Sequence, residues 1–113
     1  KGSTTSVRKV ATDTAAHNLQ PRGDGRHFFV SNRTVNGSIS LLDTKTMTVV
    51  DKFDVPGGPD DMMVRADGKE LWATARFARK VQVIDLTTKK LKVSIPVGSS
   101  PHGVFFLNHA GLR

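Results

Sequence analysis

The sequence predicts an all-β protein assembled from copies of one four-stranded antiparallel unit. Three observations carry this expectation. A block of about 42 residues recurs in register along the chain. Within each block, apolar and β-branched runs of 4–7 residues are bounded by Asp-Gly, Asn-Gly and Asp-Thr turn signals. No stretch keeps a helical period, because Gly, Pro, Asp and Thr interrupt each candidate.

The recurrence is read first, since a period of this length decides the architecture. Asp24-Gly25 returns as Asp67-Gly68, and Phe29-Val30-Ser31-Asn32-Arg33 returns as Trp72-Ala73-Thr74-Ala75-Arg76, both at an offset of 43. Ile39-Ser40-Leu41-Leu42-Asp43 returns as Val81-Gln82-Val83-Ile84-Asp85, and Val55-Pro56-Gly57-Gly58-Pro59 as Val97-Gly98-Ser99-Ser100-Pro101, both at 42. The slip is one residue deleted between Arg76 and Val81. Arg8-Lys9-Val10 matches Asp51-Lys52-Phe53, and Pro101-His102-Gly103 opens a further copy.

Taken in order, the first full copy predicts strands over Leu19–Arg22, His27–Asn32, Ser38–Leu42 and Val49–Val55. The second predicts Met62–Arg65, Glu70–Ala75, Lys80–Ile84 and Leu91–Val97. Asp24-Gly25 and Asp67-Gly68 join the first and second strands, since Gly accepts the positive φ of a right-twisted hairpin. Asn36-Gly37 serves the next hairpin. Asp43 and Asp85 open the third, each carboxylate placed to accept from the backbone N–H two residues on.

Val81-Gln82-Val83-Ile84 and Leu41-Leu42 carry apolar side chains toward both faces, so these middle strands are buried on both sides. A four-stranded unit of this period, sandwiched between its own copies, is a β-propeller blade. The motifs Phe29-Val30-Ser31-Asn32, Asp67-Gly68-Lys69, Val83-Ile84-Asp85 and Val97-Gly98-Ser99-Ser100-Pro101 resemble the YVTN-type β-propeller repeat family over residues 8–111. Trp72-Ala73-Thr74-Ala75 is a degraded version of the name motif. The resemblance implies an exported protein of the periplasm or cell surface. Some relatives support haem- or quinone-linked oxidoreductases, and others are lactonases.

The chain of 113 residues holds about 2.7 repeats and begins with Lys1. Propellers close with about 4–8 blades. The reading therefore expects a fragment of a larger propeller, about seven-bladed, with residues 1–16 ending one blade, 17–59 and 60–101 forming two, and 102–113 starting the next. The expected partners are the remaining blades, or other copies of the chain. No run of apolar residues is long enough for a membrane-spanning helix, and the lack of Cys excludes a disulfide, a thiolate zinc site or a cysteine nucleophile. Net charge is +7. The basic residues are spread along the chain, apart from Arg76, Arg79 and Lys80, then Lys89, Lys90 and Lys92, which favours a solvated basic surface over a nucleic-acid patch.

The loops from an outer strand to the next inner strand, Thr12–His17, Pro56–Asp61 and Gly98–His102, share one rim with the loops Asn32–Gly37 and Ala75–Arg79. His17, Asp60 and His102 are equivalent positions there, as are Arg33 and Arg76. The bland reading gives the histidines to loop backbone and Asp60 and Asp61 to a turn. The functional reading sets His17, Asp60 and His102 together at the channel mouth, the imidazoles suited to a transition metal or to acid–base work, and lets Arg33 and Arg76 clamp a carboxylate or phosphate. No metal-ligand spacing and no Gly-x-Ser-x-Gly elbow occurs. Ser99-Ser100 with His102 is too local for a nucleophile and its base, and His27 and His109 read as surface or edge residues. Asn32-Arg33-Thr34 and Asn36-Gly37-Ser38 are formal glycosylation sequons. No cofactor is specified. The expected function is a non-catalytic binding or scaffold propeller with a ligand site on the channel rim. The alternatives are a redox or lactonase-like propeller enzyme and, third, a nucleic-acid-binding propeller.

Overall fold

The structure, a computed structural model, describes Gly2, Thr5 and residues 8–112. Eight strands form two antiparallel sheets of four. The first is β1 (Ala16–Pro21), β2 (His27–Asn32), β3 (Ser38–Asp43) and β4 (Thr48–Asp54). The second is β5 (Pro59–Val64), β6 (Glu70–Ala75), β7 (Lys80–Asp85) and β8 (Lys90–Pro96). Each sheet is a meander in sequence order. The two are β-propeller blades that pack through β1 and β2 of the first against β5 of the second.

Turn chemistry follows the expected residues. Gly25 and Gly68 take φ of 71° and 72° at the first hairpin of each blade. Asp43 Oδ1 accepts from the N–H of Lys45 at 2.9 Å, and Asp85 Oδ1 from that of Thr87 at 2.8 Å. Gly37 differs. Its φ is not positive; a Cβ there would instead meet Pro59 Cδ at 2.2 Å, so the residue is needed where one blade's loop crosses the start of the next blade's inner strand.

Both inner strands begin three residues earlier than the sequence suggests. Ala16 pairs with Asn32, and Pro59 with Ala75, before a register shift that ends at Leu19 and at Met62. The extra residue of a bulge breaks the alternation that marks a strand. His17 and Asp60 therefore stand on strands rather than in loops.

Residues 101–106 take no regular structure, where a third inner strand was expected. An inner strand pairs only with its hairpin mate, and residues 107–112 supply none. The segment folds back instead. The Phe106 ring meets Trp72 edge-on at 5.2 Å, Arg65 bridges to His109, and a 3-10 turn over Ala110–Leu112 packs on β1 and β5. At the other end, residues 8–15 form no strand, and Lys1, Ser3, Thr4, Ser6 and Val7 of the expected segment 1–16 and Arg113 of the expected segment 102–113 lie outside the described residues.

The core is the interface between the blades. Phe29, Ile39, Leu41, Phe53 and Val55 of the first meet Met62, Val64, Leu71, Ala73 and Ile84 of the second, with Ala110. Asn32 is buried and donates to Ser38 and Ser40, so its sequon is closed in the folded chain.

Candidate functional site

Asp60 is the second residue of β5, and its carboxylate is only 5% exposed. Charge buried to that degree requires partners. Three are present. Oδ1 lies 2.7 Å from His17 Nε2. Oδ2 accepts from Arg33 Nη1 at 3.2 Å and from Arg76 Nη1 at 3.4 Å. The short His17 contact places a proton on Nε2 facing Asp60, so the 3.3 Å approach of Arg33 Nη1 to Nε2 is packing rather than a donated bond.

The chain delivers these groups by its repeat. His17 and Asp60 occupy equivalent positions on β1 and β5, and Arg33 and Arg76 follow the ends of β2 and β6. Arg33 spans the two blades, touching His17 of its own and Asp60 of the next. Arg76 repeats the gesture, holding Asp60 of its own blade and donating from Nε to Ser100 Oγ at 2.8 Å. His102, two residues on, is exposed and joins none of these contacts. Ser100 thus serves Arg76 rather than His102. Beneath this layer Asn18 Nδ2 donates to Asp61 Oδ1 at 3.0 Å. Sequence reading missed both Ser100 and the Asn18–Asp61 bond; the offset of one repeat was the available signal for the second.

Two guanidiniums surround one carboxylate, so the cluster keeps an excess positive charge. Nε and Nη2 of Arg33 and Nη2 of Arg76 have no partner among the described residues. Asp60 fixes the heads of both forks and leaves donors free. Exposed Phe77, Val35 and Arg79 crown the adjoining loops. Among the described residues no cluster of three or more His, Asp or Glu is placed to hold a metal ion, and no helix is long and apolar enough to cross a membrane.

A second set of charges lies at the opposite ends of the blades. Arg26 forms a two-pronged pair with Asp43 and, against the cost of burial, holds its carboxyl far below the usual range, aided by the Lys45 and Thr46 N–H groups. Burial pushes Asp24 up, but the His27 N–H and imidazole and the Arg26 N–H outweigh it and bring it to about 2. His27 is therefore a bonded residue, with Nδ1 2.6 Å from Asp24. Arg65, then the Lys69 N–H, lower Asp67 to about 2. Lys92, then Trp72, lower Glu70. Lys89 and Lys92 of the basic cluster are paired with Asp51 and Glu70, so no continuous patch forms there.

The sequence matches the family described as YNCE-like beta-propeller over residues 2–112. The chain belongs to the YNCE-like β-propeller family. Among solved structures this YNCE-like chain resembles Kuenenia stuttgartiensis hydrazine synthase, at TM-score 0.71 and 26% identity over 88% of this chain and 28% of that one. It also resembles the Myceliophteria thermophila Cps50 (Swd1) β-propeller domain, at TM-score 0.65 and 17% identity over 76% of this chain and 26% of that one, a likeness of fold alone. The YNCE-like chain thus spans about a quarter of the length of these neighbours. A search of curated proteins found no match.

Proposed function

We propose that the chain is part of a non-catalytic binding propeller whose channel rim takes a small anionic ligand on Arg33 and Arg76. The observation that carries the reading is the Asp60 clamp. It pre-positions two guanidinium forks and leaves Nε and Nη2 of one and Nη2 of the other free. Fixed planar donors suit a carboxylate or phosphate group, because less freedom is lost on binding. Export to the periplasm or cell surface is part of the proposal and is supported by the resemblance to YVTN-type repeats.

The test is calorimetric titration with citrate and with inorganic phosphate. At least one binds, and Arg33→Gln and Arg76→Gln each weaken it by about tenfold, the usual loss for one charge-assisted hydrogen bond. Unchanged binding in both variants ends the reading. If single-stranded DNA binds instead, with affinity that falls steeply with salt, the nucleic-acid alternative takes its place.

The 26% identity to hydrazine synthase favours one second reading, a propeller segment of a haem- or quinone-linked redox enzyme. Haem or quinone absorbance in the purified natural protein would replace the binding reading with this one.

A further inference from the structure

The two arginines of the rim are not equivalent. Arg33 gives only Nη1 to the Asp60 clamp. Its Nε and Nη2 form the side-on edge of the guanidinium, and neither has a partner among the described residues. Two parallel donors on one edge match the two oxygens of a carboxylate. Arg76 is more fully used. Nη1 serves Asp60 and Nε serves Ser100, so its side-on edge is broken and Nη2 is left as a single donor. Both Nη1 atoms meet the same oxygen, Asp60 Oδ2, at 3.2 and 3.4 Å, so the two guanidiniums adjoin. A free fork therefore stands beside one free donor.

Charge decides between anions. At about pH 8, above the usual histidine range, two guanidiniums face one carboxylate, and the cluster keeps one positive charge. A monoanion balances it. A phosphate dianion brings a second negative charge toward Asp60, whose carboxylate is buried and already held.

We infer that the rim ligand is a 2-hydroxy or 2-oxo monocarboxylate. Its carboxylate takes the Arg33 fork, and its α-oxygen accepts from Arg76 Nη2. A plain carboxylate leaves that last donor unused. An α-oxygen sits one carbon from the carboxylate, a spacing that suits donors held against one shared oxygen. This ligand class rests on the rim being an anion site, as proposed above.

Calorimetric titration at about pH 8 with lactate, propionate and inorganic phosphate tests it. Propionate is lactate without the hydroxyl. Lactate binds about tenfold tighter than propionate, the return of one charge-assisted hydrogen bond, and tighter than phosphate. Arg76→Gln brings lactate and propionate to the same affinity. Arg33→Lys, which keeps the charge and loses the fork, weakens both by about tenfold. The ligand class is overturned by equal affinity for lactate and propionate, by a gap that survives in Arg76→Gln, by full affinity in Arg33→Lys, or by phosphate binding tighter than lactate. If phosphate binds best and Arg33→Gln weakens it, the rim is still an anion site and only the ligand class falls. If lactate, propionate, phosphate and citrate all fail to bind, both fall. The comparison of lactate with propionate on the unaltered protein decides the matter even if a variant fails to fold.

Discussion

Asn18 Nδ2 donates to Asp61 Oδ1 at 3.0 Å across 43 positions of the chain. That separation is the repeat length itself, and Gln20 and Met63 meet at the same separation. Neighbouring blades therefore set these inner-strand residues beside their own counterparts in the next. The contact of His17 with Asp60 is the same relation carried by charge.

Replacing Asp60 with Asn keeps the shape of the clamp and removes its charge, leaving His17, Arg33 and Arg76 without an anion. Urea denaturation should show a loss of about 2–3 kcal/mol, just under the range for breaking a buried pair because both guanidiniums still reach water. His17→Ala should cost about 0.5–1 kcal/mol, one ordinary hydrogen bond. Equal stability of Asp60→Asn and the parent protein would mean that the clamp stabilises nothing.

Leu19 and Met62 occupy equivalent positions, yet Met62 is fully buried and Leu19 is 56% exposed. Met62→Ala should cost about 2–4 kcal/mol, as for other buried large-to-small changes. Leu19→Ala should lie within about 0.5 kcal/mol of zero, as a surface change does. Similar midpoints for the two variants would show that the exposed face is covered in solution.

Trp72 packs edge-on against Phe106 and donates from Nε1 to Glu70 at 3.0 Å, but stays partly open. Trp72→Ala should destabilise by about 2–3 kcal/mol, below the full cost of a buried aromatic. His102→Ala should cost less than about 1 kcal/mol, since its side chain is exposed and unbonded. Thermal melts that rank the two the other way would contradict the fold-back of residues 101–112.

Gly37→Ala forces a methyl against the Pro59 ring and should destabilise by about 1–3 kcal/mol, the cost of overpacking. The midpoint of urea unfolding checks it. No loss would mean that the linker between the blades yields freely.

Acid should unfold the protein within a defined window. Asp24 and Asp67 are lowered from 3.8 to about 2, and Asp43 and Glu70 are lowered as well. Each depressed carboxyl contributes stability that is complete above its unfolded value. That stability is lost as pH falls through the folded one. Unfolding free energy should therefore be level with respect to these groups above about pH 5 and fall between about pH 4 and 2. Arg26→Gln should soften the decline. A free energy that stays level down to pH 2 would refute the pairing.

The second, third and fourth strands of each blade were legible because apolar runs and Asp turns report them directly. The inner strands were legible only from Leu19 and Met62 onward, since the bulge before each places His17, Asp60 and Asp61 out of alternation. Gly37 was read as a turn glycine, but its cause is Pro59, a residue of the next blade that no local pattern can reveal. The approach of Arg33 and Arg76 to Asp60 follows from equivalence between copies. The bond from Arg76 to Ser100 does not, because it depends on the path of an irregular segment. The fold-back of Phe106 onto Trp72 was hidden for a related reason: Phe105-Phe106 reads as strand wherever it lies.

The fold-back also makes the two-blade body unlike at its ends. Leu19 stands bare on one side, while Phe106 roofs Trp72 on the other. A further sheet set against Trp72 would have to take the place of the Phe106 ring, whereas one set against β1 would meet Leu19 already uncovered.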